Sequence, residues 1–266
     1  MGIDTAAILG LIQGVTEFIP VSSSGHLIVG REVINLSASN GLAFDAVLQL
    51  ATAFAILAYF WSDLVAFVRG GRARIGGTNL TLSTRLIGVI LLATIPAVIA
   101  GLWLEPLLDT VFRRPEIVAG SLIIGSVLIL LAEHLPKKSK EKVVSLESGL
   151  LVGCYQVLAL VPGMSRSGAT ISGGLLAGFS RQTATSFAFL LGLPILFGAG
   201  GKKLLDLVSS GALETLGWPL LVGSITAFFS GLLAMHVLMR FVKNHRLDWF
   251  AGYRILLAVA VLVFLT

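Results

Sequence analysis

The sequence predicts an all-α polytopic membrane protein with six full transmembrane helices, two re-entrant helix hairpins and an inverted-topology repeat. This prediction depends on composition, on the lengths of the apolar segments and on an internal repeat. Hydrophobic residues make up 56% of the 266 residues and charged residues only 12%, and the mean hydropathy is +0.94. Soluble domains have about half apolar and about a quarter charged residues. Lipid is therefore the expected solvent for most of the chain.

Six apolar segments approach the length of about 20 residues that a membrane-crossing helix needs. Only Asp4 precedes the first apolar stretch, and without a basic n-region we expect no cleaved secretory signal. We expect residues 1–266 to form one membrane domain that inserts through its own spans. The predicted full crossings are residues 42–60, 85–104, 117–132, 184–200, 217–240 and 251–266.

Two further apolar segments are shorter, and each ends in a helix-breaking residue, Pro20 or Pro162, followed by a serine-rich turn. Each segment and the apolar stretch after its turn predict a helix hairpin that enters the membrane and turns back. Broken backbone at that depth is tolerated only where it is buried in protein or lines a cavity. The two breaks therefore predict a site. The paired segments are about 5–19 with 25–35, and 148–161 with 168–179.

A shift of 143 residues superimposes the first predicted hairpin on the second. Three predicted crossings lie between the hairpins, and this odd number predicts that the second copy is inverted relative to the first. The copies cover about residues 1–133 and 144–266. The superimposed identities are Gly10 with Gly153, Gln13 with Gln156, Ser22 with Ser165, Ser24 with Ser167, Gly25 with Gly168, Ile28 with Ile171 and Gly30 with Gly173.

The distribution of Lys and Arg between the spans predicts the orientation. The richer side should be cytoplasmic, so that the first hairpin dips in from outside, the second from inside, and both chain ends lie outside. The net charge of +5 is explained by topology, and no nucleic-acid partner is expected because no basic region is long enough to fold separately. The predicted cytoplasmic residues are Arg69, Arg72, Arg74, Arg85, Lys137, Lys138, Lys140, Lys142, Arg181, Arg240, Lys243 and Arg246, and the predicted outer residues are Arg31, Arg113, Arg114, Lys202 and Lys203.

The first hairpin carries polar residues that are costly in lipid. Gln13 and Glu17 are four residues apart and share one helix face. An ionisable group in an apolar span is a functional candidate, although a neutral, hydrogen-bonded Glu17 is the structural alternative.

Three hydroxyls and an imidazole follow Pro20, in the run Ser22-Ser23-Ser24-Gly25-His26. This run places a nucleophile beside a proton-transfer group. Ser24 is alternatively an ordinary N-cap of the next helix.

The second hairpin places a permanent positive charge, Arg166, between Ser165 and Ser167. A guanidinium does not shed its proton in proteins, so it needs an anion or carbonyl groups around it. One alternative is that Arg166 simply pairs with Glu17. Glycines and serines before a helix expose free backbone N–H groups, which together with arginine favour a phosphate ligand. Thr170 adds a further donor.

Other polar residues are weaker candidates. Asp45 and Gln49 share a face of the first full span, where they either support the site or are solvated at the interface. Cys154, the one cysteine, excludes an intrachain disulfide and is expected to pack in an apolar segment. The remaining histidines have no metal-ligand spacing, and they are His134, His236 and His245.

The two polar motifs together resemble the signature motifs of the undecaprenyl-diphosphate phosphatase family, also called bacitracin-resistance proteins. The resemblance covers both motifs, their spacing and the hydrophobic layout of essentially the whole chain. The motifs are Gln13-x-x-x-Glu17 followed by Pro20-Val21-Ser22-Ser23-Ser24-Gly25-His26, and Pro162-Gly163-Met164-Ser165-Arg166-Ser167-Gly168-Ala169-Thr170.

This resemblance implies hydrolysis of undecaprenyl diphosphate to undecaprenyl phosphate and orthophosphate, which recycles the lipid carrier for cell-wall synthesis. It also implies a bacterial inner-membrane location with the active site opening to the periplasmic face, a divalent cation such as Mg²⁺ or Ca²⁺, and often a homodimer. Many members carry a glutamate where this chain has Gln13, which is a neutral ligand or hydrogen-bond partner.

The chemistry of the side chains in these motifs predicts their roles in phosphoryl transfer. Arg166 is expected to bind the diphosphate, and Ser23, rather than Ser22, is the expected nucleophile unless water attacks directly. His26 is expected to transfer a proton, and Glu17 either holds the cation with Gln13 or orients His26. The expected substrate-binding residues are Ser22, Ser24, Ser165, Ser167 and Thr170.

The main alternative is a polyprenyl-phosphate lipid transporter or flippase, because inverted repeats with broken helices are also the plan of transporters. A structural scaffold is a third possibility, but it leaves the paired Glu and Arg in the breaks unexplained.

Overall fold

A computed structural model describes residues 1–33, 41–70, 74–78, 80–108, 111–135 and 143–265. Over these residues the chain is all-helical and has no β-strand, apart from one isolated bridge between Arg74 and Thr81. Two short 3₁₀ turns lie at Ile75–Gly77 and Val111–Arg113. The α-helices are α1 (Ile3–Phe18), α2 (Ser23–Val33), α3 (Gly41–Tyr59), α4 (Trp61–Val68), α5 (Thr84–Leu108), α6 (Pro115–His134), α7 (Leu146–Leu158), α8 (Arg166–Leu176), α9 (Arg181–Ser209), α10 (Leu213–Asn244) and α11 (Asp248–Phe264).

Four of these helices contain a segment long and apolar enough to cross a membrane, and they are α5, α6, α9 and α10. The bent pair α3 and α4, with 62° between its helices, makes a fifth if it counts as one span. Large apolar side chains face outwards, among them Trp103 at 83% exposure and Ile124 at 61%. Such a surface suits lipid and is not expected on a soluble monomer. The chain is a multi-pass membrane protein.

Each of the six predicted crossings coincides with a helix, and α5, α6, α9 and α10 extend beyond the predicted bounds at both ends, whereas α3 and α11 end one or two residues before them. α9 runs from Arg181 to Ser209, past Pro194, and α10 passes through Pro219. Proline is tolerated inside membrane helices because neighbouring groups satisfy the freed backbone. The short helix α4 was not predicted. Several predicted basic and terminal positions lie outside the described residues, and these are Arg72, Lys137, Lys138, Lys140, Lys142, residues 34–35 and Thr266.

The helices break where the two polar motifs predict. α1 ends at Phe18 and α2 begins at Ser23, while α7 ends at Leu158 and α8 begins at Arg166. We refer to residues 19–22 as the first break and residues 159–165 as the second break.

Both breaks have the same local geometry at positions that the 143-residue shift superimposes. Ser22 has φ of 76° and Ser165 has φ of 70°, and they are the two non-glycine residues with positive φ in the described chain. Each serine hydroxyl accepts a hydrogen bond from the backbone N–H three residues later, Gly25 at 3.3 Å and Gly168 at 3.1 Å. These caps offset the unfavourable left-handed backbone of the two serines.

Glycines bring the two hairpins against long helices. α1 packs against α10 and α7 against α5. A Cβ at Gly10 would lie 2.2 Å from the carbonyl oxygen of Gly223, and one at Gly153 would lie 2.1 Å from that of Ala93. Small residues permit such close helix approach in membranes. The same packing arrangement therefore holds both hairpins, and it brings the two breaks side by side.

An ionic cluster ties three elements at one end of the molecule. The side chain of Glu133, at the end of α6, accepts from Arg181 Nε at 2.8 Å and Nη2 at 2.6 Å, and from the Leu247 N–H at 3.1 Å. Arg246 donates to the Glu133 carbonyl at 3.3 Å. Arg181 and Arg246, both predicted to be cytoplasmic, thus lie at the same end.

Candidate active site

Glu17, in the last turn of α1, is the centre of the polar site. Its carboxylate accepts from Gln13 Nε2 at 2.8 Å, from Ser23 Oγ at 2.7 Å and from Arg166 Nη2 at 2.6 Å. The residue is buried, with 6% exposure. Charge-assisted bonds of this length are among the stronger hydrogen bonds in proteins. The site therefore joins a carboxylate, a hydroxyl and a guanidinium from two distant segments of the chain.

Arg166 opens α8 and reaches across to the first hairpin. Its bond to Glu17 joins residues 149 positions apart, so the expected alternative pairing of these two side chains is present. Gly192 of α9 provides the space, because a Cβ there would lie 1.3 Å from Arg166 Nη1. The Arg166 side chain remains 14% exposed, which leaves part of the guanidinium accessible to a ligand.

Serines in the first turns of α2 and α8 bind across to the backbone of the other hairpin. Ser24 Oγ accepts from the Gly163 N–H at 3.3 Å, and Ser167 Oγ donates to the Glu17 carbonyl at 3.2 Å. Within each segment, the outer hydroxyls lie 3.2 Å apart, Ser22 with Ser24 and Ser165 with Ser167. Ser23 is the serine that contacts the Glu17 carboxylate.

His26 points away from Ser23 and Glu17. Its Nδ1 lies 2.7 Å from the Ser22 carbonyl, and its Nε2 lies 2.7 Å from Tyr253 Oη. Because a carbonyl oxygen only accepts, Nδ1 donates, and in the neutral ring Nε2 accepts from the tyrosine. Among the described residues, the hydrogen bonds of His26 therefore do not include one to the expected nucleophile.

Thr170 is also directed elsewhere. It is fully buried, and its hydroxyl donates to the Arg166 carbonyl at 2.7 Å. That bond fixes the first turn of α8, which carries the guanidinium. Thr170 is thus placed behind Arg166 within the helix.

A cavity of about 250 Å³ opens between the two breaks and the helices α3 and α9. Six of the ten expected site residues line it. Among the described residues, the four expected ones that are not part of the lining are Gln13, His26, Ser167 and Thr170. One part of the lining is polar and the rest is aliphatic. The lining residues are Glu17, Ser22, Ser23, Ser24, Gln49, Gln156, Ala159, Leu160, Pro162, Ser165, Arg166, Ile195, Leu196 and Ala199.

Gln49 was predicted either to support the site or to be solvated at the interface, and Gln156 was known only as the repeat partner of Gln13. Both line the cavity. Asp45 does not join them, because its carboxylate pairs with Arg31. Polar residues inside predicted spans were the available signal for both glutamines.

Arg254 of α11 was missed altogether. Its fully buried guanidinium donates to the carbonyls of Pro20 at 3.3 Å, Gly163 at 3.0 Å and Met164 at 2.8 Å. Pro20 and Gly163 are superimposed by the 143-residue shift, so one side chain holds equivalent points of both breaks. A charged residue inside a predicted span, residues 251–266, was a signal that could have identified it.

A divalent cation fits this site only when the bound substrate and water supply further oxygen ligands. Glu17 is the single carboxylate in the cavity lining, and the described residues contain no cluster of three His, Cys, Asp or Glu that could hold a metal. Gln13 Oε1, however, is buried with no hydrogen-bond partner among the described residues. One carboxylate and amide oxygens match the usual Mg²⁺ arrangement, in which substrate phosphates and water complete the shell.

Comparison with known proteins identifies the family of this chain. A family model described as bacitracin resistance protein BacA matches residues 6–260. Proteins named undecaprenyl-diphosphatase are similar over nearly their whole length. That of Trichlorobacter lovleyi is 41% identical over 98% of this chain and 96% of its own, and that of Mycobacterium ulcerans is 40% identical over 97% and 94%. That of Corynebacterium glutamicum is 38% identical over 97% and 89%. The matched region contains both breaks and the whole cavity, and the chain belongs to the bacitracin resistance protein BacA family.

Proposed function

We propose that this protein is an enzyme that hydrolyses undecaprenyl diphosphate to undecaprenyl phosphate and orthophosphate, a phosphoric anhydride hydrolase that recycles the carrier for cell-wall synthesis. The main support is the contact of Glu17 with both Ser23 and Arg166 at the cavity. It places an activated hydroxyl beside a fixed positive charge. The substrate is inferred from relatives that are named undecaprenyl-diphosphatase.

In the proposed reaction the diphosphate enters the cavity and Arg166 binds its oxygens as a bidentate donor. Ser23 Oγ attacks the terminal phosphorus while its proton passes to Glu17, which already accepts that hydroxyl. The bond from the terminal phosphorus to the bridging oxygen breaks, and undecaprenyl phosphate leaves. Water then attacks the phosphoserine and the bond from phosphorus to Ser23 Oγ breaks. Glu17 returns its proton to Ser23, and orthophosphate leaves. If water attacks the diphosphate directly, Glu17 orients that water instead.

The other expected residues receive supporting roles in this proposal. Ser22 and Ser165 shape the breaks and present backbone N–H groups, while Ser24 and Ser167 hold the breaks together. Thr170 fixes the turn that carries Arg166. His26 holds the Ser22 carbonyl instead of transferring the proton of Ser23.

A divalent cation is proposed as a cofactor of the reaction. Glu17 and the unpartnered oxygen of Gln13 would hold Mg²⁺ or Ca²⁺ together with oxygens of the diphosphate. When bound, the cation would neutralise the negative charge that develops on the phosphoryl oxygens.

We also propose the full architecture of six crossings and two re-entrant hairpins, as one membrane domain made of inverted copies over about 1–133 and 144–266. The matching φ angles of Ser22 and Ser165 and the matching contacts of Gly10 and Gly153 support it. In this arrangement the protein lies in the bacterial inner membrane. The cavity opens to the periplasmic face, the prenyl tail stays in lipid, and two copies form a homodimer.

Substitution of the two charged residues tests the proposal. We expect Glu17→Gln and Arg166→Lys each to lower orthophosphate release from polyprenyl diphosphate by at least about a hundredfold, because each removes charge or bidentate geometry from the reacting group. The exposed residues Glu147 and Arg69 provide matched controls, Glu147→Gln and Arg69→Lys, with wild-type rates. Variants of Glu17 and Arg166 that stay within a few-fold of wild type would contradict the site. Wild-type protein that moves the lipid between leaflets without releasing orthophosphate would favour the transporter.

A further inference from the structure

Gln156 of α7 is a buried cavity residue whose side-chain amide forms no hydrogen bond with the part of the chain that the structure describes. It is 1% exposed and lines the cavity beside Arg166. Neither its Nε2 nor its Oε1 has a hydrogen-bond partner among the described residues.

The 143-residue shift shows what this amide lacks. Gln13, the equivalent residue of the first hairpin, donates to Glu17 four residues later. Four residues after Gln156 the chain has Leu160, which also lines the cavity but accepts no hydrogen bond. Gln156 therefore has the same position in its hairpin as Gln13 but lacks the intrahelical partner.

A buried amide with neither group paired is unfavourable, and such groups usually bond to something. The open side of Gln156 faces the cavity, which also contains the Arg166 guanidinium. A diphosphate carries more negative charge than one arginine neutralises, and Glu17 already engages that arginine. Neutral N–H donors are the remaining means of binding the excess phosphate oxygens without adding charge.

We propose that Gln156 is a substrate-binding residue whose amide N–H group donates to an oxygen of the bound diphosphate. The inference rests on the proposed phosphatase function and adds a donor from the second hairpin. Because the bond is present in both the ground state and the transition state, Gln156 contributes to affinity more than to the chemical step.

The test compares Gln156→Leu and Gln156→Glu with wild type in orthophosphate release from polyprenyl diphosphate. Gln156→Leu is expected to raise KM about tenfold or more, with kcat changed by no more than about threefold. The ligand-free Gln156→Leu protein should also unfold at the same or a higher temperature than wild type, because an unpaired buried amide has been removed. Leu158→Met, a lipid-facing change on the same helix, should leave KM and kcat unchanged.

Gln156→Glu separates a donor from a cation ligand. A carboxylate of similar shape accepts only, so KM should rise at least as much as in Gln156→Leu, and added Mg²⁺ or Ca²⁺ should not restore it. Restoration by the cation would overturn the donor role. A KM within twofold of wild type for Gln156→Leu would also overturn it, as would a lowered unfolding temperature with unchanged KM, which indicates a purely structural residue. If the wild type releases no orthophosphate, the proposed function fails.

Discussion

Arg254 places one guanidinium between the carbonyl groups of both helix breaks. Its bonds to Pro20, Gly163 and Met164 satisfy oxygens that lie where the helical ladder is interrupted. In lipid such oxygens have few other partners. Gly125 leaves the necessary space, since a Cβ there would lie 2.0 Å from Arg254 Nη2. Arg254 therefore positions the site without lining the cavity.

Removing this guanidinium should destabilise both breaks together. We expect Arg254→Met to lower the unfolding midpoint in detergent by about 5 °C or more, because three buried carbonyls each lose a bond worth about 1 kcal/mol or more. Orthophosphate release should fall with it. Arg240→Met, at an exposed position of α10, is the control and should leave the midpoint unchanged. An unaltered midpoint in Arg254→Met would show that the carbonyls find other partners.

Sequence patterns identified some residues of the site better than others. Glu17, Ser23 and Arg166 were predicted because charge and hydroxyls in apolar segments are costly, and the structure brings all three together. The partner of His26 was not predictable, because Tyr253 is 227 residues away and carries no motif. That the described residues give the Gln156 amide no hydrogen-bond partner was likewise not predictable, because it depends on how the helices around it pack.

The helix breaks are determined by short-range chemistry, and their positions were therefore predictable. Pro20 and Pro162 interrupt the ladders within a few residues of the observed ends, at Phe18 and Leu158. The positive φ of Ser22 and Ser165 was not predictable, because serine seldom adopts that conformation without compensation. The helix α4 was missed because its eight residues are too few for a span.

The pairing of α7 with α5 depends on a close glycine contact. We expect Gly153→Ala to lower the unfolding midpoint by about 3 °C and to reduce orthophosphate release, because its Cβ would lie 2.1 Å from the Ala93 backbone oxygen and push α7 from α5.

Gly120→Ala on α6 is the matched control, because no atom lies within 4 Å of its Cβ position. Alanine favours helix over glycine, so this variant should be as stable as wild type or more stable. Equal effects of the two substitutions would refute the close approach of α7 and α5.

At the scale of the whole molecule, composition was sufficient to predict a multi-pass helical protein, and the apolar segments to predict where its long helices lie. The contacts between the halves were beyond prediction, because α1 packs on α10 and α7 on α5 through local shape. The orientation follows from charge alone and is tested separately.

The proposed orientation predicts which helix ends a membrane-impermeant thiol reagent can modify in intact cells. In a Cys154→Ser background, Lys202→Cys should react from outside in intact cells, whereas Lys243→Cys should react only after permeabilisation. Both positions are exposed at helix segments outside the apolar centre. The reverse pattern would invert the topology and place the cavity mouth on the cytoplasmic side.

The reciprocal serine bonds between the breaks also affect the timing of biosynthesis. Ser24 binds the Gly163 backbone and Ser167 binds the Glu17 backbone, so each break is completed by the other. A nascent chain that has been translated only as far as α6 contains Glu17 and Ser23 but neither Arg166 nor Gly163. In the proposed mechanism such a partly inserted chain lacks the guanidinium that binds the diphosphate. We therefore expect orthophosphate release to begin only after the second half of the chain has joined the first, so that assembly of the two halves is a checkpoint on the enzyme itself.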